Sequence, residues 1–258
     1  MTGFDYSTVT ELSGDEISQE QLERLCHRYY WAATFSSGKD VIEAACGTGP
    51  GLGYLASNSK SVRAGDFSNE ILKIAQSYYD GRIGLLQFDA QRMPYPDNSA
   101  DVIILFEAIY YLPDASKFVL ECKRVLRSGG DVLIATANKD LYDFNPSPRA
   151  HKYYGAAELQ ALFTEHGFTT ECLGYLSTRD ISLRQRILRP IKRVAVMWNL
   201  MPKTAHSKKW LKRLVFGEMT RMPAEIREGM IRYTAPTRLG PGPDREHKVI
   251  YCAARLPG

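Results

Sequence analysis

Short apolar runs alternate with longer amphipathic segments along most of this chain. In residues 20–36, Leu22, Leu25, Cys26 and Tyr29 recur at the spacing that places them on one face of a helix. The same spacing predicts further helices at 69–79, 115–126 and 156–166. Apolar runs between these helices predict strands at 40–45, 61–66, 83–89, 100–106, 131–137, 169–175 and 249–255.

This order of elements predicts an α/β fold. Strands that alternate with helices are typical of a parallel sheet covered by helices on both faces. We therefore expect a Rossmann-like, mostly parallel sheet of seven strands, in a core that spans 1–176 and is completed by a final strand within 248–258. Residues 177–247 interrupt the alternation with scattered prolines and a glycine- and proline-rich loop at 239–243. We interpret this stretch as an inserted helical cap with a mobile loop.

The composition is that of a soluble globular protein, with 44% hydrophobic and 24% charged residues in a chain of 258. No apolar run approaches the ~20 residues that cross a bilayer. The polar, acidic start (1–20) predicts neither a signal peptide nor a transit peptide. The cysteines are scattered, odd in number and without a C-x-x-C pair, which indicates reduced core thiols, a cytoplasmic protein and no metal site. They are Cys26, Cys46, Cys122, Cys172 and Cys252.

Residues 41–53 run from an apolar strand through a glycine-rich turn into a helix. Glycine has no Cβ, so such a turn lets a nucleotide-like ligand approach the backbone closely. Gly47 and Gly49 begin the usual dinucleotide fingerprint, but its third glycine would fall at Leu52. Glu43 lies inside the strand, where a dinucleotide site needs no acid. These departures favour S-adenosylmethionine over NAD, and the stretch resembles motif I of class I methyltransferases, E/D-x-x-x-G-x-G.

Two further acids follow at the predicted ends of the next two strands. Asp66 comes seventeen residues after Gly49, where an acid can accept hydrogen bonds from both ribose hydroxyls. Asp89 is followed by Met-Pro-Tyr-Pro-Asp at 93–97, which resembles the methyltransferase motif D-A-x-x-x-P-[FY]-x-D. In that motif the acid accepts a hydrogen bond from the adenine amino group. Glu43, Asp66 and Asp89 are spaced twenty-three residues apart, and together they are specific for this cofactor.

The resemblance covers roughly residues 20–175 and the final strand, and it implies S-adenosylmethionine as cofactor. Arg-Val-Leu-Arg-Ser-Gly-Gly at 124–130 resembles the family's segment before the fifth strand, with a turn at 128–130 that ends the preceding helix. Tyr29 also fits a purely packing role, because it lies on the apolar stripe of its helix. The resemblance implies a cofactor-binding set made of Tyr29, Glu43, Ala45, Gly47, Gly49, Asp66, Phe67, Asp89, Ala90 and Phe106.

The segment after the fourth strand resembles motif IV, but it departs from the family at the position of a histidine that is the suspected base in some relatives. This chain has Tyr110 and Tyr111 there. A neutral tyrosine, with a reference pKa of about 10, is a poor base but a good hydrogen-bonding wall. His151, just after the fifth strand, is therefore the candidate base, and Glu107 and His27 are weaker candidates. We expect His151, Tyr111 and Glu107 to face the acceptor.

The expected activity is S-adenosylmethionine-dependent O-methylation of a sugar hydroxyl on a glycan, glycolipid or natural product. The acceptor class rests on a resemblance of 144–148, 153–159 and the late basic insertion to sugar-modifying methyltransferases. N-methylation of a small amine or peptide natural product is an alternative, because a neutral amine needs less activation than a hydroxyl. A non-catalytic cofactor-binding protein is another alternative, and hydride transfer with a dinucleotide is disfavoured by Leu52.

The net charge of +4 hides a local concentration of basic residues. Residues 181–217 contain ten Lys or Arg and no Asp or Glu, with apolar residues at helical spacing between them. This pattern fits a cap whose apolar side covers the active site. It also fits peripheral contact of 184–215 with an anionic membrane, where each basic residue contributes on the order of 1 kcal/mol. No RNA-binding module or stacking platform is apparent, so nucleic acid is not an expected partner.

Overall fold

A computed structural model describes residues 12–179 and 219–258. Within these ranges the chain forms an eight-stranded sheet and a separate two-stranded ribbon. In chain order the elements are β1 (Glu16–Ser18), α1 (Gln19–Ser36), β2 (Asp40–Ala44), α2 (Leu52–Ser57), β3 (Ser61–Asp66), α3 (Asn69–Tyr79), β4 (Gly84–Gln87), β5 (Ala100–Phe106), α4 (Ala115–Val125), β6 (Leu126–Ala137), α5 (Ala156–Thr164), β7 (Thr169–Ser177), β8 (Met219–Arg221), β9 (Thr237–Arg238) and β10 (His247–Arg255).

The sheet has the strand order β4-β3-β2-β5-β6-β10-β7-β9. The five strands from β4 to β6 are parallel, and β10 is antiparallel to both of its neighbours. The chain builds outward from β2 to β4 on one side and from β5 to β6 on the other. The order therefore reverses between β2 and β5, and ligands of open α/β sheets bind at such a reversal, beyond the carboxyl ends of the strands.

Two apolar cores cover the two faces of the sheet, because successive side chains of a strand point to opposite faces. Val41 and Ile104 face the core that α1, α2 and α3 cover, whereas Ile42 and Ile103 face the core under α4 and α5. The expected Rossmann-like architecture, with helices on both faces, is confirmed. The sheet has eight strands rather than seven because Thr237–Arg238 pairs with the edge of β7.

The helices begin and end close to the positions that the spacing predicts. Asn69–Tyr79 agrees at both ends. The first helix starts one residue earlier than predicted, since Ser18 and Gln21 form a capping box that satisfies its first backbone N–H groups. The five cysteines are buried free thiols, in agreement with their prediction as core residues.

Two local predictions need correction. The third strand is shorter than 83–89, because after Phe88 the chain turns and Arg92 N donates to Asp89 O (2.8 Å), so Asp89 lies two residues beyond β4. The turn predicted at 128–130 is instead a bulge inside β6, opposite Asp101. Gly129 has φ +76°, a conformation that favours glycine, which lets the strand bulge and then resume its pairing.

The described parts of the predicted insertion 177–247 are 177–179, where β7 ends, and 219–247. The second part contains the strands β8 and β9, joined by irregular chain without a helix, and reaches the first residue of β10. β8 pairs with β1 in the ribbon, a pairing that the sequence did not reveal. Most of the predicted helical cap falls on 180–218, outside the described residues. The predicted membrane-contact segment, 184–215, falls there entirely. Among the helices that the structure describes, none is long and apolar enough to cross a membrane.

Candidate cofactor and acceptor site

A cavity of about 880 Å³ lies at the carboxyl ends of β2, β3 and β5, where the strand order reverses. Its volume is within the range of about 300–1,000 Å³ that small-molecule sites occupy. All but one of the residues predicted from the sequence for the cofactor and the acceptor border it. They are Tyr29, Glu43, Ala45, Gly47, Asp66, Phe67, Asp89, Ala90, Phe106, Glu107, Tyr111 and His151.

The exception is Gly49, and the glycines of the loop serve different purposes. Gly47 borders the cavity with φ +59°. Gly49, with φ +76°, shapes the turn, and a Cβ there would lie 2.8 Å from Leu52 Cδ1. A Cβ at Gly51 would overlap the ring of Tyr29, so the glycine at this position makes room for the Tyr29 side chain and not for a ligand. Only the first of these three glycines leaves its backbone open to a ligand.

Glu43 is a fully buried carboxyl group on the wall of the cavity. Its Oε1 accepts a hydrogen bond from the Tyr29 hydroxyl at 2.6 Å, while its Oε2 has no hydrogen-bond partner within the described chain. Burial raises the pKa of Glu43 to about 7, against the opposing effects of the Tyr29 hydrogen bond and the positive charge of Arg28. An unsatisfied buried carboxylate oxygen is costly, so this atom is suited to a cationic or hydrogen-bonding ligand.

Asp66 ends β3 and ties the glycine-rich loop to that strand. Its Oδ2 accepts a hydrogen bond from Gly47 N (2.9 Å), and its Oδ1 accepts one from Ser68 N (2.8 Å). Burial raises the pKa of this carboxyl, and the two backbone hydrogen bonds oppose the shift. Asp89 is held similarly, since Gln91 N and the Gln91 side-chain amide both donate to it (2.9 and 3.1 Å to Oδ1). Hydrogen bonds therefore fix Asp89 to its own turn, and fix Asp66 both to its own turn and to the glycine-rich loop.

Two non-glycine residues at the site have left-handed backbones. Ala45 follows β2 with φ +55°, and Glu107 follows β5 with φ +50°. Such conformations are uncommon outside glycine and collect at functional sites. Glu107 also joins two elements, because its Oε1 pairs with Arg24 of α1 (3.1 Å) and its Oε2 accepts from the Tyr110 hydroxyl (3.2 Å). With both oxygens engaged, Glu107 is better placed to position its neighbours than to remove a proton.

Aromatic rings form the other wall. Tyr110 stacks on Tyr153 with ring centroids 4.4 Å apart, and Tyr111 meets Tyr110 edge to face at 4.6 Å. Phe144 packs edge to face on Tyr153 at 4.7 Å. His151 N donates to Tyr110 O at 2.8 Å, while its side chain is exposed at the cavity mouth. This wall combines apolar surface with one exposed imidazole.

His27, a weaker candidate base, lies elsewhere. It is fully buried, with its ring nitrogens within hydrogen-bonding distance of the Tyr251 hydroxyl (2.9 Å) and Thr234 O (2.8 Å). Its ring stacks on Tyr175 with centroids 3.5 Å apart. Burial lowers the pKa of His27 to about 4. It is not among the residues that border the cavity, so the structure does not bring this weaker candidate together with the other predicted site residues.

Several cavity residues escaped the sequence analysis. Gln21, Arg24 and Arg28 lie on the wall formed by α1. Their spacing of three and four residues forms a polar stripe, a signal that could have revealed them. Met222 also borders the cavity, but no local pattern connects it with residues so distant in sequence.

Comparisons with known proteins agree with this geometry. Residues 42–134 match a family model described as a methyltransferase domain. A probable S-adenosylmethionine-dependent methyltransferase of Mycolicibacterium smegmatis is 33% identical over 153 residues, which is 58% of this chain and 56% of that protein. A phthiotriol/phenolphthiotriol dimycocerosates methyltransferase of Mycobacterium ulcerans is 33% identical over 123 residues, 46% of this chain and 45% of the relative.

Among solved structures, a putative methyltransferase from Bacillus halodurans superposes with a TM-score of 0.56 at 20% identity, covering 90% of this chain and 98% of that one. At this identity the likeness shows the fold alone. The chain spans about half the length of the curated relatives it matches. The matched domain, the fold and the relatives agree that residues 42–134 form a methyltransferase domain, similar to that of S-adenosylmethionine-dependent methyltransferases.

Proposed function

We propose that this protein transfers a methyl group from S-adenosylmethionine to an acceptor hydroxyl, and that the acceptor is a sugar on a glycan, glycolipid or natural product. The observation that carries the proposal is a single cavity with two unlike walls. One wall holds Glu43, Asp66 and Asp89 at successive strand ends, and the other holds Tyr111 and His151. A transferase for two substrates needs both walls in one enclosure.

The residues present fit the cofactor. The unpartnered Oε2 of Glu43 suits the cofactor's ammonium group, and the backbone at Gly47 leaves room for close approach. In our proposal Asp66 accepts hydrogen bonds from the ribose hydroxyls and Asp89 from the adenine amino group. Phe67 and Ala90 flank the adenine. Tyr29, Ala45 and Phe106 enclose the methionine end, while Gly49 shapes the loop behind it.

The bound cofactor supplies a methyl group on a sulfonium, ready for in-line displacement. The protein's contribution is then largely to hold the acceptor oxygen in line, which can supply much of the rate acceleration. In our proposal the exposed imidazole of His151 removes the hydroxyl proton, and Tyr111 donates or accepts a hydrogen bond at the acceptor. Glu107 holds Arg24 and Tyr110 in position rather than acting as the base.

The choice of a small-molecule acceptor draws on two observations. The rings of Tyr110 and Tyr111 on the cavity wall, with Tyr153 stacked on Tyr110, suit the apolar face of a ring or chain. The M. ulcerans relative is named for action on phthiotriol and phenolphthiotriol dimycocerosates.

We also propose peripheral membrane contact through 184–215, supported by the ten basic and no acidic residues of 181–217.

The test of the activity is transfer of an isotope-labelled methyl group to a panel of acceptors. We expect label on a hydroxyl-bearing glycoside or glycolipid and much less with an Asp66→Ala variant. Label on amines alone would contradict O-methylation while sustaining methyl transfer. Co-sedimentation with phosphatidylserine vesicles at low salt tests the membrane contact, which is wrong if the protein stays in the supernatant.

A further inference from the structure

Residues 222–234, which we call the strap, cross the face of the sheet covered by α1, α2 and α3. They lie outside the segment that matches the family model, 42–134. Ile226 is buried, and its N donates to Pro50 O in the glycine-rich loop at 2.7 Å. We propose that the strap is a positioning element of the cofactor site, in which Glu225 and Ile226 hold the glycine-rich loop in its binding shape. This inference rests on the proposed function.

Glu225 makes the most specific contact of the strap. Its Oε2 accepts hydrogen bonds from the Tyr78 hydroxyl (2.9 Å) and from Arg82 (3.3 Å), both on or just after α3. Its Oε1 lies against Gly53 in the first turn of α2, where any Cβ would overlap that oxygen. The glycine at position 53, which motif I does not require, is explained by this carboxylate rather than by the cofactor.

The rest of the strap is tied to the helices around the loop. Glu228 Oε2 accepts from the Tyr54 hydroxyl on α2 (2.8 Å). The Tyr30 hydroxyl on α1 donates to Arg227 O (2.5 Å) and accepts from Met230 N (3.1 Å). At the start of the strap, Met222 N donates to Asp15 O (2.9 Å), and Met222 borders the cavity. The strap thus contacts the loop, three helices and the cavity wall.

The physical reason for such a device is the entropy of the loop. The turn that contains Gly47 and Gly49 is rich in glycine, which loses more conformational freedom on ordering than any other residue. If the loop is already ordered before the ligand arrives, the free energy of binding is not reduced by the loss of the loop's conformational entropy. The hydrogen bond between Ile226 and Pro50 and the contact between Glu225 and Gly53 order the end of this turn and the start of α2.

The test is calorimetric titration of the full chain with S-adenosylhomocysteine, at a temperature well below the unfolding midpoint of every variant. We expect Glu225→Ala to weaken binding about tenfold, as the loss of two hydrogen bonds, one of them to a charged group, would do. Glu225→Gln, which still accepts from Tyr78, should restore part of the affinity. Glu171→Ala is the matched control, because it removes an ion pair with Arg238 at the far edge of the sheet and should bind like wild type.

Equal affinities of wild type and Glu225→Ala would overturn the strap's role and leave the proposed function standing. A wild-type chain that does not bind would contradict the proposed function and the strap's role with it. If Glu225→Ala does not fold, Tyr78→Phe removes one donor from a half-exposed position and should weaken binding about threefold. Wild-type affinity in that variant would equally overturn the proposal.

A double-mutant cycle adds a readout that a merely structural role would not move. Gly53→Ala should weaken S-adenosylhomocysteine binding, because the new methyl group displaces the Glu225 carboxylate. In the Glu225→Ala background the same substitution should cost little further affinity. Additive losses in affinity would show that the two positions act independently, and would contradict the proposal.

Discussion

Cofactor affinity should depend on pH through Glu43. This carboxyl is buried, and burial raises its pKa to about 7. The groups that face it are Tyr29, Arg28, Asp66 and Cys46, of which Tyr29 and Cys46 have pKa values raised well above their ordinary ranges and stay neutral near pH 7. If the cofactor's ammonium binds the ionised form, protonation of Glu43 competes with binding.

The magnitude follows from the fraction of Glu43 that is ionised in the free protein. With a pKa of about 7, that fraction is about ten in eleven at pH 8 and about one in eleven at pH 6. The apparent affinity scales with the competent fraction, so binding should weaken about tenfold from pH 8 to pH 6, or about 1.4 kcal/mol. At pH 7 binding should release about half a proton to the buffer.

Calorimetry with S-adenosylhomocysteine at several pH values, in buffers of different ionisation enthalpy, measures both quantities. Glu43→Gln should bind more weakly at pH 8 and lose the pH dependence, and any slope that remains belongs to the ligand's own titration. Asp66→Asn is the control, because burial also raises the pKa of the Asp66 carboxyl, and this variant should keep the dependence of affinity on pH. Affinity that is equal at pH 6 and pH 8 in the wild type, or an unchanged slope in Glu43→Gln, would refute the reasoning.

Three further predictions follow from the site. Gly47→Arg should abolish S-adenosylhomocysteine binding, because the new side chain fills the space through which a ligand reaches the backbone of the loop. Gly81→Arg is the control, since Gly81 is another glycine with a left-handed backbone and has open space around it, and this variant should bind normally. Equal affinities of the two variants would refute the assignment of the loop to the cofactor. His151→Ala should lower kcat by a factor of about 10²–10⁴ at neutral pH and leave the cofactor affinity unchanged. The control His166→Ala should keep the wild-type rate. An unaltered rate in His151→Ala would exclude His151 as the base. Glu43→Gln should raise the free energy of unfolding of the cofactor-free protein by up to about 3 kcal/mol at pH 8, because the folded state no longer ionises a buried carboxyl whose ordinary pKa is 4.5. That gain should vanish below pH 4.5, where the carboxyl is protonated in both states, and denaturant titration at the two pH values checks it.

Much of the fold was predictable because it follows from local patterns. Helix and strand periodicity is a property of neighbouring residues, and the end of a parallel strand is a position where acids converge. The sequence alone therefore placed Glu43, Asp66 and Asp89 at the ends of successive strands, at one edge of the sheet. The error at 128–130 arose because glycine is compatible with both a turn and a bulge, and only the pairing of β6 with β5 distinguishes them.

The unpredicted features are contacts between residues far apart in the chain. The strap reaches Gly53 from about 170 residues away, and neither partner carries a local signal of the other. Arg24 and Glu107 meet across eighty-three residues, and this ion pair is the reason why our proposal gives Glu107, a weaker candidate base, a positioning role. His27 is a residue near a predicted cofactor contact, Tyr29, that lies away from the cavity. It is buried among aromatic rings, and this burial could not be inferred from its neighbours in sequence.

Whether the cavity binds S-adenosylmethionine rather than a dinucleotide is measured by titrating the wild-type protein with S-adenosylhomocysteine and, separately, with NAD. We expect saturable binding of S-adenosylhomocysteine at one site per chain, weakened by loss of Asp66 or Asp89, and no binding of NAD in the same concentration range. Binding of NAD alone would contradict this expectation.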